Sequence, residues 1–315
     1  MNQKIKQLKA EISKHIIGHT EMIDAMLIGL LSQGHVLLEG LPGLAKTKAI
    51  NALAQTLGLE FKRIQFTPDL LPTDITGAEV YNPKTGEFQL KKGSVFTHLL
   101  LCDEINRSSA KVQSALLEVM QERQVTIGDH TFKVDEPFFV LATQNPIDEE
   151  GTYVLPQAQL DRFMLKIMVG YNSEVEEFEI AKKSASNTFE PIEQILNEEG
   201  LNKIQKEVED LYVDDALVSY IVKLVFATRD PKKYNLASLE KSISYGASPR
   251  ATIDLLKAVK ASAYIRGKEV VSPIDIALCA KNVLRHRIVL SYEAQAEEVS
   301  VDEVIDTIMT TIEMD

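Results

Sequence analysis

One octapeptide constrains this chain more than any other stretch. Gly40–Leu41–Pro42–Gly43–Leu44–Ala45–Lys46–Thr47 follows the short apolar run His35–Val36–Leu37–Leu38–Glu39 and opens a helix pattern that reaches about Gly58. A buried strand, a tight Gly/Pro turn and a helix N-terminus form the setting in which backbone N–H groups converge on phosphate. From Gly43 through Leu44 and Ala45 the amides can wrap a polyphosphate, with Gly40 and Pro42 shaping the turn before them. Lys46 can then neutralise the outer phosphates, and Thr47 can offer its hydroxyl to Mg²⁺. Ala45 stands where glycine is the usual residue. Its methyl group leaves the N–H donor in place, so the cradle survives the departure.

A second signal falls in a compatible place. His98–Leu99–Leu100–Leu101–Cys102 is an apolar strand that ends in Asp103–Glu104. In an open α/β sheet this puts both acids at the C-terminal edge, where ligands bind. Asp103 suits the water shell of a magnesium ion, and Glu104 suits orienting or deprotonating an attacking water. A third strand, Phe138–Thr143, runs into Gln144–Asn145–Pro146. Asn145 is a neutral polar group able to hold that water, although Asn before Pro is also an ordinary turn.

Short strands at Phe61–Phe66, His98–Asp103, Phe138–Thr143 and Met164–Val169 alternate with helix patterns such as Ser109–Arg123. That alternation predicts an α/β fold with a mostly parallel sheet covered on both faces. Two hairpins interrupt it, at Ala78–Leu90 and Gln124–Val134. From about residue 173 the strand signal disappears, and helix patterns cover 173–186, 201–211, 214–228, 249–265, 273–285 and 301–313. Ser248–Pro249 and Ser272–Pro273–Ile274–Asp275 are helix-start signals. The division expected is a nucleotide-binding α/β domain over 1–190 and a smaller all-α lid domain over 191–315.

Composition narrows the class further. The 315 residues carry 34 basic and 46 acidic side chains, a net charge of −12, which argues against holding duplex nucleic acid by bulk charge. No apolar run approaches the roughly 20 residues that cross a bilayer. The two cysteines, Cys102 and Cys279, offer neither metal-ligand spacing nor a disulfide framework, so a cytoplasmic location is the expectation.

Taken together, these residues resemble the AAA+ ATPases, and more narrowly the MoxR family within the helix-2-insert branch. The resemblance rests on Gly40–Thr47, Leu100–Arg107, Ser114–Gly128, Pro137–Pro146, Gly151–Phe163, Gly246–Arg250 and Val283–Arg287. Ala142–Thr143–Gln144–Asn145–Pro146 and Gln159–Leu160–Asp161–Arg162–Phe163 are the most specific of these, and Ala45 is itself typical of the family's loop. The resemblance implies a P-loop AAA+ core with inserted β-hairpins and a helical lid, hydrolysing ATP with Mg²⁺. It places Lys46 and Thr47 in Walker A, Asp103 and Glu104 in Walker B, and Asn145 at sensor 1. It makes Arg162 an arginine finger acting on the neighbouring subunit's nucleotide. Arg250 becomes sensor 2, able to swing onto the γ-phosphate as the lid closes. Ile17–Gly18 resembles the segment that covers adenine.

The same resemblance implies a homo-oligomeric ring, hexameric in the family, and a chaperone-like remodelling or maturation role with a von Willebrand factor A domain partner. A nucleic-acid-dependent motor and the ATPase subunit of a magnesium-chelatase-like metal insertase are the alternatives. The hairpins would face the ring's pore or rim. Arg107 could serve the subunit interface. Arg285–His286–Arg287 reads as charge at a helix C-terminus, favourable against the dipole.

Overall fold

A computed structural model of the chain describes residues 3–41, 43–146, 152–186 and 190–314. It opens with α1 (Gln3–His15) and α2 (Thr20–Leu31), whose buried Ile5, Leu8 and Ile12, then Met22, Met26 and Leu30, recur at helical spacing. β1 (Val36–Gly40), α3 (Lys46–Leu57), β2 (Phe61–Gln65) and the short α4 (Pro72–Thr76) follow. A hairpin of β3 (Gly77–Asn82) and β4 (Glu87–Lys92) precedes β5 (Leu99–Asp103) and α5 (Ala110–Glu122). The second hairpin, β6 (Gln124–Ile127) and β7 (His130–Lys133), leads to β8 (Phe139–Gln144) and the short α6 (Gln157–Leu160). β9 (Leu165–Val169) and α7 (Glu174–Ser186) complete this half.

Five strands pair in parallel in the order β2-β5-β8-β1-β9, which bears out the α/β expectation. Period-2 alternation sorts their side chains between two cores. Val36, Leu38, Leu99, Leu101, Phe139 and Leu141 face α1, α2 and α3. Leu37, Leu100, Cys102, Val140 and Ala142 face Val112, Leu116 and Met120 of α5 and Val125 and Ile127 of the second hairpin. Both faces are covered, which explains why these strands read as nearly continuous apolar runs.

The rest is helical apart from one ladder. α8 (Glu198–Glu209), α9 (Asp215–Ala227), β10 (Ile243–Tyr245), α10 (Pro249–Ile265), α11 (Pro273–Leu284), β11 (Val289–Leu290), α12 (Tyr292–Ala296) and α13 (Val301–Thr311) occur in that order. The caps are where the sequence signals them: Ser248 accepts from the Arg250 amide, and Ser272 with Asp275 closes a capping box. The expectation that strands end near residue 173 fails at β10 and β11, which pair antiparallel. Runs of three and two residues are too short for alternation to register. These helices bury one small cluster of their own, with Val225, Ala251, Ala280, Leu284 and Ile305, and otherwise share the core of the first half. Leu201, Leu224, Leu255, Val259 and Ile308 belong to the same apolar cluster as Leu30, Leu53 and Leu165.

His35, at the entry to β1, ties three elements together. Its Nδ1 accepts from the Val140 amide at 3.0 Å, and its Nε2 lies 3.2 Å from the Met120 carbonyl. Burial, reinforced by the nearby Arg123 cation, pushes the imidazole down from its ordinary value to about 3. The native state therefore holds His35 neutral where the unfolded chain would protonate it. Stability is full above about pH 6.5 and declines as pH falls towards 3, by about 2 kcal/mol for this group at pH 5. The urea midpoint should fall between pH 7 and pH 5, and fall less in His35→Gln. Equal falls in both chains would remove His35 as the cause.

Candidate active site

The strand order determines where a ligand can enter. β1 sits between β8 and β9, while α3 carries the chain from β1 out to the far edge at β2. Connections diverge on either side of β1, so a crevice opens beyond the C-terminal ends of β1 and β8. A cleft of about 740 Å³ lies there, and its walls include Gly40, Gly43, Leu44, Ala45, Lys46 and Thr47 together with Asp103, Glu104 and Asn145. Of the phosphate-loop residues expected at the site, Pro42 lies outside the described residues.

The loop's backbone explains its composition. Gly43 has φ +85°, a conformation that L side chains rarely adopt, and a Cβ at Gly40 would sit 2.4 Å from the Val169 carbonyl oxygen. Ala45 also takes a left-handed φ of 54°, directly before α3. The usual preference for glycine at that position follows from this angle, which costs a residue with a Cβ roughly 1 kcal/mol. α3 makes its first intrahelical bond from the Ala49 amide to the Ala45 carbonyl. The N–H groups ahead of that bond point out of the helix end, where an anion is favoured. Lys46 donates from Nζ to the Gly40 carbonyl at 2.6 Å, so its ammonium stands across the loop. Burial lowers its pKa, while Asp103, Glu104 and Glu39 act to raise it.

The two acids are tightly oriented. Thr143 Oγ1 donates to Asp103 Oδ1 at 2.7 Å and accepts from the Glu104 amide at 2.9 Å. Arg63 donates to Asp103 Oδ2 from Nη2 at 2.7 Å and from Nε at 3.2 Å. Glu104 holds a left-handed φ of 56°, a local strain of the kind that clusters at active sites. Its Oε2 accepts from Gln65 Nε2 at 2.8 Å and pairs with Arg107 Nε at 3.2 Å. The sequence alone does not mark Arg63 and Gln65 as site residues, and it marks Thr143 only as part of the run Ala142–Pro146. Two polar residues at alternate positions near the C-terminal end of β2, beside a strand ending in acids, are the signal that could have found them.

α7 forms the other wall through Glu177, Ile180 and Ala181, with Asn172 and His19 alongside. Ile17 and Gly18 are half-buried, and they border this wall without being among the lining residues. Gly18, at φ +73°, packs so closely that a Cβ would lie 2.8 Å from Glu176 Oε1 and 3.0 Å from Asn172 Oδ1. It therefore seats the α1–α2 connector against α7 and carries His19 to the cleft. Among the described residues no three His, Cys, Asp or Glu side chains gather as a metal cluster. Magnesium needs none here, since it keeps several waters and takes one or two protein oxygens plus phosphate. The Thr47 hydroxyl and Asp103 carboxylate are suitable donors.

Arg162 and Arg250 stand apart from this cleft. They meet at a second cavity of about 290 Å³, which Gln121, Arg123, Asp161 and Lys257 also line. Arg162 is anchored through its neighbour: Phe163 is fully buried, worth about 1.5–3 kcal/mol. Arg162 Nε is buried with no hydrogen-bond partner among the described residues. Arg250 faces Asp161 and Gln121, each at 3.5 Å. This placement sets Arg250 beside Arg162 and away from the cleft that holds Lys46. α10 packs on α2, α9 and α11, which puts its first turn on the Arg162 side of the molecule. Arg285 and Arg287 sit at the C-terminal end of α11, and both also reach beyond it. Arg285 clasps Asp302 and the Lys166 carbonyl, and the Arg287 side chain is fully buried.

The chain is 48% identical over 302 residues to "Chaperone MoxR1" of Mycobacterium tuberculosis, covering 96% of this chain and 80% of that one. The chain belongs to the MoxR family of AAA+ ATPases. "Protein MoxR" of Paracoccus denitrificans is 31% identical across 98% of this chain and 96% of its own length. The crystal structure of a candidate ATPase from Cytophaga hutchinsonii superposes with a TM-score of 0.94 at 48% identity, covering 99% of this chain and 95% of that one. Residues 35–165 match the ATPase family associated with various cellular activities, and residues 237–308 match the AAA lid domain. In this MoxR-family chain the first segment carries the phosphate loop, Asp103, Glu104, Asn145 and Arg162, and the second carries Arg250. No helix among the described residues is long and apolar enough to cross a membrane.

Proposed function

We propose that this chain hydrolyses ATP at sites shared between copies of itself in a closed ring, and uses the cycle to remodel or mature protein complexes. One observation carries the reading. Lys46, Thr47, Asp103, Glu104 and Asn145 converge on one cleft, whereas Arg162 and Arg250 lie together outside it, with Arg162 Nε unpartnered. A cation placed away from its own phosphate site can serve the site of a neighbour. Such a head-to-tail interface generates a ring when its rotation closes.

In that arrangement the α3 N-terminus and Lys46 bind the β- and γ-phosphates of ATP, and Thr47 with Asp103 would hold Mg²⁺. An ion held there would supply positive charge against that developing on the phosphates. Glu104, released from Gln65 and Arg107, takes the proton of the attacking water, which Asn145 orients. Arg162 of the adjacent subunit stabilises the transferred phosphoryl group. Residues 1–190 act as the nucleotide-binding domain and 191–315 as the lid.

The remodelling role draws on the name of the MoxR1 relative and on the family's association with von Willebrand factor A domain partners. The β3–β4 hairpin offers a contact surface: Val80, Tyr81, Phe88 and Leu90 are exposed, and the Tyr81 and Phe88 rings lie 5.4 Å apart. The net charge of −12 counts against a nucleic-acid motor. Sedimentation with a non-hydrolysable ATP analogue and Mg²⁺ should show a ring, and phosphate release should rise with protein concentration as copies assemble. A chain that stays monomeric while turning over ATP at a concentration-independent specific rate would overturn the reading.

A further inference from the structure

Arg287 is the residue whose sequence position gives the least hint of what the fold does with it. It follows α11, and its side chain has no exposed surface. Every guanidinium nitrogen is engaged. Nε donates to Asp161 Oδ1 at 2.9 Å, and Nη2 donates to the Asp161 carbonyl at 3.1 Å and to the Phe163 carbonyl at 2.9 Å. Nη2 also meets Asp254 of α10, and Nη1 donates to the Val283 carbonyl of α11 at 3.0 Å. The residues on either side of Arg162 are thus held by one planar cation. The other carboxylate oxygen of Asp161 accepts from Ser248 Oγ at 2.8 Å and faces Arg250 at 3.5 Å.

We propose that Arg287 is a positioning residue for hydrolysis, locking the Arg162 turn to the start of α10 so that Arg162 and Arg250 reach a neighbour's phosphate as one rigid pair. The inference rests on the reading of a shared site. Its physical basis is geometric. A finger on a loose turn loses rate through misplacement alone, and a displacement of about 1 Å can cost about 10²-fold. Arg287 supplies a fork of fixed donors that a flexible ammonium cannot reproduce. Asp161 divides its oxygens between the two arms of the clamp, Arg287 on one side and Ser248 with Arg250 on the other. Arg287 touches neither cleft nor substrate, so its effect has to pass through Arg162 and Arg250.

The test is Arg287→Lys in the full-length chain, read by binding of a fluorescent ATP analogue, by turnover, and by mixing. Binding should stay within about twofold, and turnover should fall by up to about 10²-fold. Mixing with Glu104→Gln should restore turnover, because each partner supplies what the other lacks. Mixing with Arg162→Ala should restore none, because both chains are deficient on the same face. The reverse pattern, recovery with Arg162→Ala and none with Glu104→Gln, would mean that Arg287 merely supports its own cleft, and overturns the proposal. So would wild-type turnover. If Arg287→Lys does not fold, Ser248→Gly takes its place, since glycine is nearly as good a helix cap but drops the hydroxyl bond to Asp161. The same two mixing patterns and the same wild-type outcome then decide. Failure of Arg162→Ala to complement Glu104→Gln would instead overturn the shared site itself, whatever Arg287 does.

Discussion

Arg162→Ala should bind ATP almost as the parent chain does and hydrolyse it about 10³–10⁵-fold more slowly, the range an arginine finger supplies. The size of the effect follows from what Arg162 does not do. It lines no part of the cleft that holds Lys46 and Asp103, and its Nε has no partner among the described residues. Removing it therefore leaves the phosphate loop intact and, in the proposed ring, takes away only charge that serves another site. Phe163 and β9 stay in place behind it, so stability should change little. The decisive measurement mixes Arg162→Ala with Glu104→Gln. Some interfaces then pair an intact cleft from the first chain with an intact finger from the second, and turnover should return. Mixed assemblies, verified by sedimentation, that show no recovery would remove Arg162 from its role.

Glu104→Gln should retain ATP and lose turnover by about 10²–10⁴-fold, the usual worth of a positioned general base. Glutamine keeps the shape of the side chain, and its carbonyl oxygen can still accept from Gln65 or Arg107. It cannot take a proton from water. Lys46→Ala should behave differently and lose nucleotide affinity, because it removes charge facing the phosphates in the ground state as well as the transition state. Turnover by Glu104→Gln at the parent rate would move the base to another residue.

Much of this architecture could be read before any coordinates. The apolar runs at β1, β5 and β8 are buried on both faces, so sequence and burial agree there. Asp103, Glu104 and Asn145 lie at the ends of those runs, and knowing the strands was enough to place them on one edge. Arg63 and Gln65 escaped because β2 is an edge strand whose polar residues look like ordinary solvent-facing positions. Only the pairing of β2 with β5 brings them to Asp103 and Glu104. Arg250 and Arg287 depended on how α10 and α11 pack against the sheet. No local pattern encodes that packing, and a charged residue near a helix end looks solvated until its distant carboxylate is known.

The shared apolar cluster has a mechanical consequence. Leu255 and Val259 of α10 lie in the same buried set as Leu30 of α2 and Leu165 of β9. A hinge opening between sheet and helical half would expose such surface to water at about 25 cal/mol for each Å². Strokes of large amplitude inside one subunit are therefore expensive. In the ring proposed above, joints between subunits, where charged side chains would meet phosphate, would be far cheaper to open and close. Each copy would then behave as a stiff lever, and the force reaching a client would depend on how neighbouring levers tilt against each other.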